Sequence, residues 1–154
     1  MDKHDLDALA GRVAELITEA KLTVIFTGAG ISTESGIPDF RSPGGIWDRF
    51  SPDDFTYQKF VKNIASRRKL WQLFRDLVAT AEPNPAHYAI TELYRLGRLD
   101  CVITQNVDNL HQRAGLPDDK VLELHGSVRR VVCLGCGRRY PFEQVKARLD
   151  GGEE

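Results

Sequence analysis

The chain of 154 residues carries 21 basic and 22 acidic side chains, for a formal net charge of -1 at pH 7. This length suits one domain with a buried core, and the balanced charge argues against nucleic acid as a partner. No apolar run approaches the length of a membrane-spanning helix, so we expect a cytoplasmic protein that has no membrane partner.

The first predicted elements are a surface helix and a buried strand. Residues 5–21 place apolar side chains on one helical stripe, which predicts an amphipathic helix that packs on a sheet. The members of this stripe are Leu6, Leu9, Val13, Leu16, Ile17 and Ala20. Residues 22–27 form a β-branched and aromatic run, which is typical of a short strand covered on both faces.

A glycine turn follows this strand. Gly28 and Gly30 allow the backbone to turn tightly and to approach a pyrophosphate, whose charge the amides at a helix start would meet. The pattern departs from the common dinucleotide fingerprint: Thr33 stands where another glycine is expected, and no strand with an acidic end follows. Residues 37–45 predict a loop instead. The turn therefore indicates a nucleotide site with an unusual covering loop.

This covering loop combines three kinds of side chain. Asp39 offers a carboxylate, Phe40 an apolar ring and Arg41 a guanidinium, while Trp47 is expected to pack at the edge. A purely structural alternative also fits, because Pro-Asp commonly begins a turn and an arginine often pairs with a surface carboxylate.

Helices and strands alternate along the middle of the chain. Ser51 followed by proline predicts a helix start, with a broken helical tract after it. Asn84 followed by proline predicts a second helix start, and that helix should end at Gly97. Residues 99–104 and 121–124 predict two more strands. This alternation indicates an α/β fold with a doubly wound parallel sheet and helices on both faces.

Polar side chains follow the ends of these strands. Gln105, Asn106 and Asp108 come after the second strand, and His125 comes after the third. Open parallel sheets bind ligands at the carboxyl ends of their strands, where an imidazole can accept a proton near neutral pH. Each group alone has a structural alternative, because Asn and Asp form Asx turns and a lone histidine is more often a core residue.

The cysteines divide into two kinds. Cys101 lies within a predicted strand and is interpreted as a small core residue. Cys133 and Cys136 follow a strand predicted over residues 128–132 and have zinc-knuckle spacing, but a structural zinc site needs four ligands and the sequence offers no second pair. Nearby arginines leave a zinc-ribbon nucleic-acid binder as an alternative, which the balanced total charge disfavours.

Together these motifs resemble the sirtuins, the NAD-dependent protein deacylases. The resemblance rests on residues 26–41, 104–111, 124–127 and 133–136, and it extends from about residue 22 to residue 140. It implies a Rossmann-like, NAD-binding portion at residues 1–130 and the beginning of a small zinc-binding module at residues 131–154. We therefore expect the chain to be the amino-terminal portion of a sirtuin core.

The resemblance also implies roles for single residues. His125 is the implied general base toward the nicotinamide ribose hydroxyls, with Asn106 as a second catalytic residue, and Phe40 would exclude water from the reacting ribose. Implied NAD contacts are Gly28, Ala29, Gly30, Ser32, Thr33, Ile37, Asp39, Phe40, Arg41, Gln105, Asn106, Val107, Asp108 and His125. Cys133 and Cys136 are the implied ligands of a structural zinc ion whose remaining two ligands are absent from this chain.

The implied activity is deacetylation of lysine in a protein or peptide, with NAD consumed as a co-substrate. The acyl group passes to ADP-ribose and nicotinamide is released. Two alternatives stay open, a protein ADP-ribosyltransferase and an NAD- or ADP-ribose-binding fragment without activity. Sirtuins that prefer acidic acyl groups carry a Tyr-x-x-Arg pair, and Phe74 and Leu77 stand at those positions here, which favours an uncharged acyl group.

Overall fold

A computed structural model describes residues 2–78 and 80–152. The α-helices are α1 (Lys3–Glu19), α2 (Ile46–Arg49), α3 (Tyr57–Lys62), α4 (Ile64–Leu73), α5 (Pro85–Arg95), α6 (Leu110–Arg113) and α7 (Phe142–Asp150). The strands are β1 (Val24–Thr27), β2 (Cys101–Thr104), β3 (Val121–Glu123), β4 (Arg130–Val132) and β5 (Arg139–Pro141). Short 3-10 helices cover Ala29–Ser35, Pro52–Phe55 and Asp118–Lys120, and a π-helix covers Phe74–Val78.

Three parallel strands form the main sheet, in the order β1-β2-β3. Ile25 pairs with Val102, and Val102 pairs with Val121, so these residues share one face of the sheet. Helices separate the strands along the chain, as parallel pairing requires. The predicted α/β, Rossmann-like arrangement of parallel strands and helices is therefore confirmed.

One face of the sheet carries the core. Ile90 of α5 packs with Leu99, Val102, Leu116 and Val121, all of them buried. The opposite face differs, because Val24, Phe26 and Leu122 are 42%, 59% and 47% exposed. The prediction that β1 is covered on both faces is thus wrong for the described residues. Composition indicated an apolar strand, but strand periodicity puts alternate side chains on opposite faces, and the second face stays about half exposed. The predicted helices on both faces of the sheet are therefore not found in the described part of the chain.

Helix α1 forms close to its predicted place, and its surroundings differ from the prediction. Asp2 caps its first turn by accepting a hydrogen bond from the Asp5 amide at 2.8 Å. The apolar stripe stays about half exposed, with values of 51–56% for Leu6, Leu9, Val13 and Leu16. The prediction that this stripe packs on the sheet is therefore wrong, because helical periodicity defines an apolar face without defining what covers it.

The caps predicted from sequence are present. The Ser51 side chain accepts from the Asp53 amide at the start of a short 3-10 helix, and α3 and α4 continue the broken helical tract. The Asn84 side chain caps α5 by accepting from two backbone amides. Gly97 has a φ of 67°, the left-handed conformation in which glycine commonly follows a helix end.

Beyond the main sheet, β4 and β5 form an antiparallel hairpin that leads into α7. The turn of this hairpin carries Cys133 and Cys136. Phe142 begins α7 and is buried, and its amide donates to the Arg129 carbonyl at 3.0 Å. The division at residues 130 and 131 stays a prediction. Within the described part of the chain, no helix has both the length and the apolar character needed to cross a bilayer.

Candidate functional site

The main sheet ends at a cleft of about 570 Å³. The carboxyl ends of β1 and β2 supply its floor, the segment from residue 37 to 47 supplies a wall, and His125 lies at its edge. The lining side chains from the predicted site are Ala29, Ser32, Ile37, Asp39, Phe40, Arg41, Gln105, Asn106, Val107, Asp108 and His125. The fold thus brings together residues that lie up to about a hundred positions apart, as expected for strand ends of a parallel sheet.

The glycine turn leaves open space above its backbone. A Cβ added at Gly28 or at Gly30 would meet no heavy atom of the described chain within 4 Å. Packing within the protein therefore does not demand glycine at either position, whereas a ligand that lies close to the backbone would. The following segment is a 3-10 helix, Ala29–Ser35, where the sequence predicted a helix start.

One side chain that follows β1, Ser32, and two that follow β2, Asn106 and Asp108, form a compact hydrogen-bond network. The Ser32 hydroxyl donates to Asp108 Oδ2 at 2.7 Å, and Asn106 Nδ2 donates to Ser32 Oγ at 3.1 Å. Asp108 Oδ1 accepts from the Leu110 amide at 3.0 Å, so Asp108 also forms the Asx turn that the sequence offered as a structural alternative, just before α6. Asp108 and Ser32 are both buried, so these bonds hold together the segments that follow β1 and β2 at little exposure to solvent.

The covering loop is shaped by Asp39. Its carboxylate accepts hydrogen bonds from the Ser42 hydroxyl and the Ser42 amide, which lower the pKa of Asp39, and its carbonyl accepts from the Ile46 amide at 2.8 Å. A Cβ at Gly45 would lie 2.8 Å from the carbonyl oxygens of Asp39 and Ser42, so the turn requires glycine there. The loop is therefore ordered by its own contacts, which fits the structural alternative for Asp39.

Aromatic rings continue this wall. Phe40 and Trp47 lie with ring centroids 5.0 Å apart, and Trp47 meets Phe55 edge to face at 5.2 Å. Trp47 therefore packs at the edge of the cleft, as predicted from sequence. Contacts of this kind fix the orientation of Phe40, which is 41% exposed.

His125 is held in one tautomer. Its Nδ1 lies 3.0 Å from the Gln105 carbonyl oxygen. A carbonyl can only accept, so Nδ1 donates, and the lone pair of the neutral ring is on Nε2. The imidazole lines the cleft and is exposed, which excludes the core-histidine alternative for this residue.

Some predicted residues lie outside the cleft lining, and some lining residues were not predicted from the sequence. Gly28, Gly30 and Thr33 do not line it, and the Thr33 hydroxyl donates to the Gly30 carbonyl at 2.9 Å. The unpredicted lining residues are Pro38, Ile46, Phe55, Leu70 and Leu73. Most are apolar residues of helical segments, where a helical pattern gives no signal for a cleft. Phe74, which the resemblance placed at the acyl-selectivity position, also lines the cleft, and the Leu77 side chain falls outside the described part of the structure.

The predicted zinc ligands Cys133 and Cys136 lie in the turn between β4 and β5. Hydrogen bonds from the backbone of Cys136 and Gly135 lower the pKa of the Cys133 thiol, which favours the thiolate that zinc requires. The Gly137 amide closes the turn by donating to the Cys133 carbonyl at 2.8 Å. Among the described residues no group of three or more His, Cys, Asp or Glu side chains could hold a metal ion. The turn fits two zinc ligands and no complete site.

Sequence comparison with known proteins identifies the family of this chain. A sequence model described as the Sir2 family matches residues 28–153. The chain belongs to the Sir2 family, the sirtuins. It is 47% identical over 149 residues to NAD-dependent protein deacetylase 1 of Bradyrhizobium diazoefficiens, covering 95% of this chain and 58% of that protein. It is 51% identical over 138 residues to an NAD-dependent protein deacetylase of Thermodesulfovibrio yellowstonii, covering 88% and 52%.

Solved sirtuin structures share the fold. A Sir2 variant bound to a deacetylated p53 peptide and 3'-O-acetyl ADP ribose superposes with a TM-score of 0.81 at 39% identity, over 91% of this chain and 56% of that one. A Sir2 complex with a p53 peptide and NAD+ gives 0.78 at 40% identity, over 90% and 55%. This sirtuin chain spans about half the length of these relatives.

Proposed function

We propose that this sirtuin chain carries the NAD site and the general base of an NAD-dependent protein-lysine deacetylase. The observation that carries the proposal is His125 in the cleft, with Nδ1 bonded to the Gln105 carbonyl and its lone pair on Nε2. Similarity to curated deacetylases supports the choice of reaction. The acyl acceptor is ADP-ribose and the substrate is acetylated lysine in a protein or peptide.

NAD, when bound, supplies the nicotinamide leaving group and the ribose hydroxyls. His125 Nε2 accepts a proton from one ribose hydroxyl, which raises the nucleophilicity of that oxygen toward the acyl carbon. Asn106 and Gln105 orient the ribose, and Val107 and Asp108 hold the nicotinamide amide. Phe40 excludes water from the reacting carbon, which protects it from hydrolysis.

The remaining predicted contacts belong to the rest of the cofactor. Gly28, Ala29 and Gly30 bring backbone amides near the diphosphate, where Ser32 and Thr33 add hydroxyl groups. The open space above the two glycines supports this assignment. Ile37, Asp39 and Arg41 shape the covering loop. Cys133 and Cys136 hold one half of a structural zinc site, and we assign the protein to the cytoplasm.

The acyl selectivity follows from the apolar part of the cleft. Leu70, Leu73 and Phe74 line it, and Phe74 stands at the tyrosine position of the Tyr-x-x-Arg pair described above. An acidic acyl group would lose its hydration there without gaining a guanidinium partner from that pair. An uncharged acyl group is therefore the proposed substrate.

The general base can be tested in the full natural protein with His125→Ala. We expect deacetylation of an acetylated peptide to fall by about 10²-fold or more, because a positioned general base contributes at least that factor. NAD binding should change little, since the base acts after the cofactor is bound. Mass spectrometry of the peptide and of the nucleotide product measures turnover, and calorimetry measures binding.

A matched control is His4→Ala, which removes an exposed histidine of α1, away from the cleft. It should leave turnover unchanged. Unchanged turnover in His125→Ala would contradict the assignment of the base. A peptide that gains the mass of ADP-ribose, with no loss of acetyl, would favour the ADP-ribosyltransferase alternative.

A further inference from the structure

Two histidines lie beneath the cleft without lining it. His87 of α5 is 0% exposed and His111 of α6 is 1% exposed, and their ring centroids are 5.0 Å apart. Burial lowers the pKa of both rings, and in His111, with His87 beside it, the pKa falls to about 4. Both rings are therefore neutral at pH 7, and we call them the histidine pair.

His111 is joined to the Asn106 backbone through two threonines. Its Nε2 lies 2.9 Å from Thr27 Oγ1, and Thr27 Oγ1 donates to Thr104 Oγ1 at 2.8 Å. The Asn106 amide donates to the same Thr104 hydroxyl at 3.0 Å. Because Thr27 donates its only proton to Thr104, His111 Nε2 is the donor to Thr27. This chain of bonds runs from α6 past the ends of β1 and β2 to Asn106, in the loop after β2.

His87 is joined to the glycine-turn segment through Asn84. Its Nδ1 lies 3.0 Å from Asn84 Oδ1. Asn84 Nδ2 then donates to the Ile31 carbonyl at 2.7 Å and to the Ser35 hydroxyl at 3.1 Å. The two rings of the histidine pair are in contact, so they connect the segment after β1 with the segment after β2 on the side away from the cleft lining. On the cleft side, the same two segments are connected by the hydrogen bonds among Ser32, Asn106 and Asp108.

We propose that His111, packed on His87, is a positioning residue that holds the Asn106 backbone at the floor of the cleft. The Asn106 amide has a side-chain acceptor, Thr104 Oγ1, whose position depends on Thr27 and His111. Without the imidazole N–H, Thr27 Oγ1 loses the hydrogen bond that it accepts from His111. A buried oxygen without its donor costs free energy, so we expect the Thr27 side chain to rotate or shift. Asn106 is a proposed ligand contact. The expected effect on ligand binding therefore rests on the proposed function, whereas the expected effect on the Asn106 backbone does not.

A first experiment measures amide hydrogen exchange without any ligand, in the full natural protein. His111→Phe keeps a ring against His87 and removes the donor, and His111→Gln keeps an amide donor near the ε position. We expect the Asn106 amide to exchange about tenfold faster in His111→Phe and within about threefold of wild type in His111→Gln. The Phe142 amide, which donates to the Arg129 carbonyl outside this chain of bonds, is the internal control and should not change.

A second variant keeps the test decisive if His111→Phe fails to fold. Thr27→Val replaces the hydroxyl by a methyl group of similar volume, and Thr27→Ser restores the hydroxyl. Thr27→Val should accelerate Asn106 exchange as His111→Phe does, and the double variant should add little to either single change. Unchanged Asn106 exchange in folded Thr27→Val, or equal acceleration at Asn106 and Phe142, would overturn the proposal.

A ligand measurement separates this inference from the proposed function. The Kd for ADP-ribose, measured by calorimetry, should rise about 2- to 10-fold in His111→Phe and in Thr27→Val, and His111→Gln should return it toward wild type. An equal Kd for ADP-ribose in the wild-type protein and in all variants would overturn the positioning role. Wild-type protein that binds no ADP-ribose would contradict the proposed function, and the exchange data would then decide the positioning role by themselves.

Discussion

Two regions of the molecule are ordered in opposite ways, the Cys133 turn and a polar layer of buried side chains at the end of the main sheet. The members of the polar layer are Thr27, Ser32, His87, Thr104, Asp108 and His111. In the polar layer, Ser32 bonds Asp108 across 76 positions of sequence, and Thr27 contacts His111 across 84. In the turn, the amides that bond the Cys133 sulfur and carbonyl lie within four residues of it. The first region is buried, whereas Cys136 in the second is exposed.

This difference separates two kinds of site. Most polar groups of this layer bond one another, so the folded chain forms the layer in advance of any ligand, although His87 Nε2 and His111 Nδ1 are buried without a hydrogen-bond partner among the described residues. The Cys133 turn is formed by local bonds, and the proposed zinc ion would need two ligands besides Cys133 and Cys136. Perturbing the first region should therefore change stability and binding, and perturbing the second should change little until a metal ion and its other ligands are present.

The largest expected effect lies in the polar layer, with Asp108→Asn. The carboxylate accepts from Ser32 and from the Leu110 amide, and in the proposed site it also holds the nicotinamide amide. Loss of a hydrogen bond to a charged group costs about 1.5–3 kcal/mol, so we expect nicotinamide exchange to fall roughly 10- to 100-fold. ADP-ribose binding, measured by calorimetry, should fall far less because that ligand lacks nicotinamide.

The control for this variant is Asp119→Asn, which alters an exposed carboxylate in a 3-10 helix away from the cleft. It should leave both measurements unchanged. Equal losses of exchange and of ADP-ribose binding in Asp108→Asn would mean that Asp108 acts only as the acceptor of the Asx turn before α6 and as a partner of Ser32.

An intermediate effect is expected when the histidine pair is titrated. The pKa of His111 is lowered to about 4 from 6.5, so the unfolded chain binds more protons than the folded chain between these pH values. The contribution of His111 to the free energy of unfolding is complete above pH 6.5 and is lost as pH falls toward 4. The slope should reach about 1.4 kcal/mol per pH unit for one histidine.

Urea unfolding at several pH values measures this slope, with His111→Gln as the matched control. The variant lacks the titrating ring, so the difference between the wild-type and variant curves isolates His111 from the carboxylates. A wild-type curve parallel to that of the variant between pH 6.5 and 4 would contradict the buried neutral state of His111.

The smallest effect is expected at the cysteine turn. Cys136→Ser should change the free energy of unfolding of the metal-free protein by less than about 0.5 kcal/mol, as is usual for exposed positions. The 154-residue chain should also bind zinc weakly and show little deacetylase activity, because two thiolates leave the ion half-coordinated. Metal analysis after gel filtration and an acetyl-peptide assay test both points. One tightly held zinc ion per chain, with robust turnover, would show that the shell is complete.

Particular residues show how far sequence reasoning reached. The strands, the Asn84 cap and the grouping of Gln105–Asp108 with His125 at one edge were predicted, because strand periodicity and cap chemistry are local properties. The apolar side of the cleft, with Phe55, Leu70 and Leu73, was not predicted. These residues occupy ordinary helical positions, and only the path of the helical tract between β1 and β2 brings them to the cleft.

The amino-acid sequence by itself determined the α/β class, the motifs of the Sir2 family and the positions at which polar groups follow strand ends. Tertiary structure alone decided which apolar faces are covered: the stripe of α1 and one face of the sheet are exposed, although their patterns predicted burial. It also decided that His87 and His111 meet beneath the cleft. The physical reason is that periodicity and capping act within one element, whereas burial and pairing depend on the partner that the fold brings to each face.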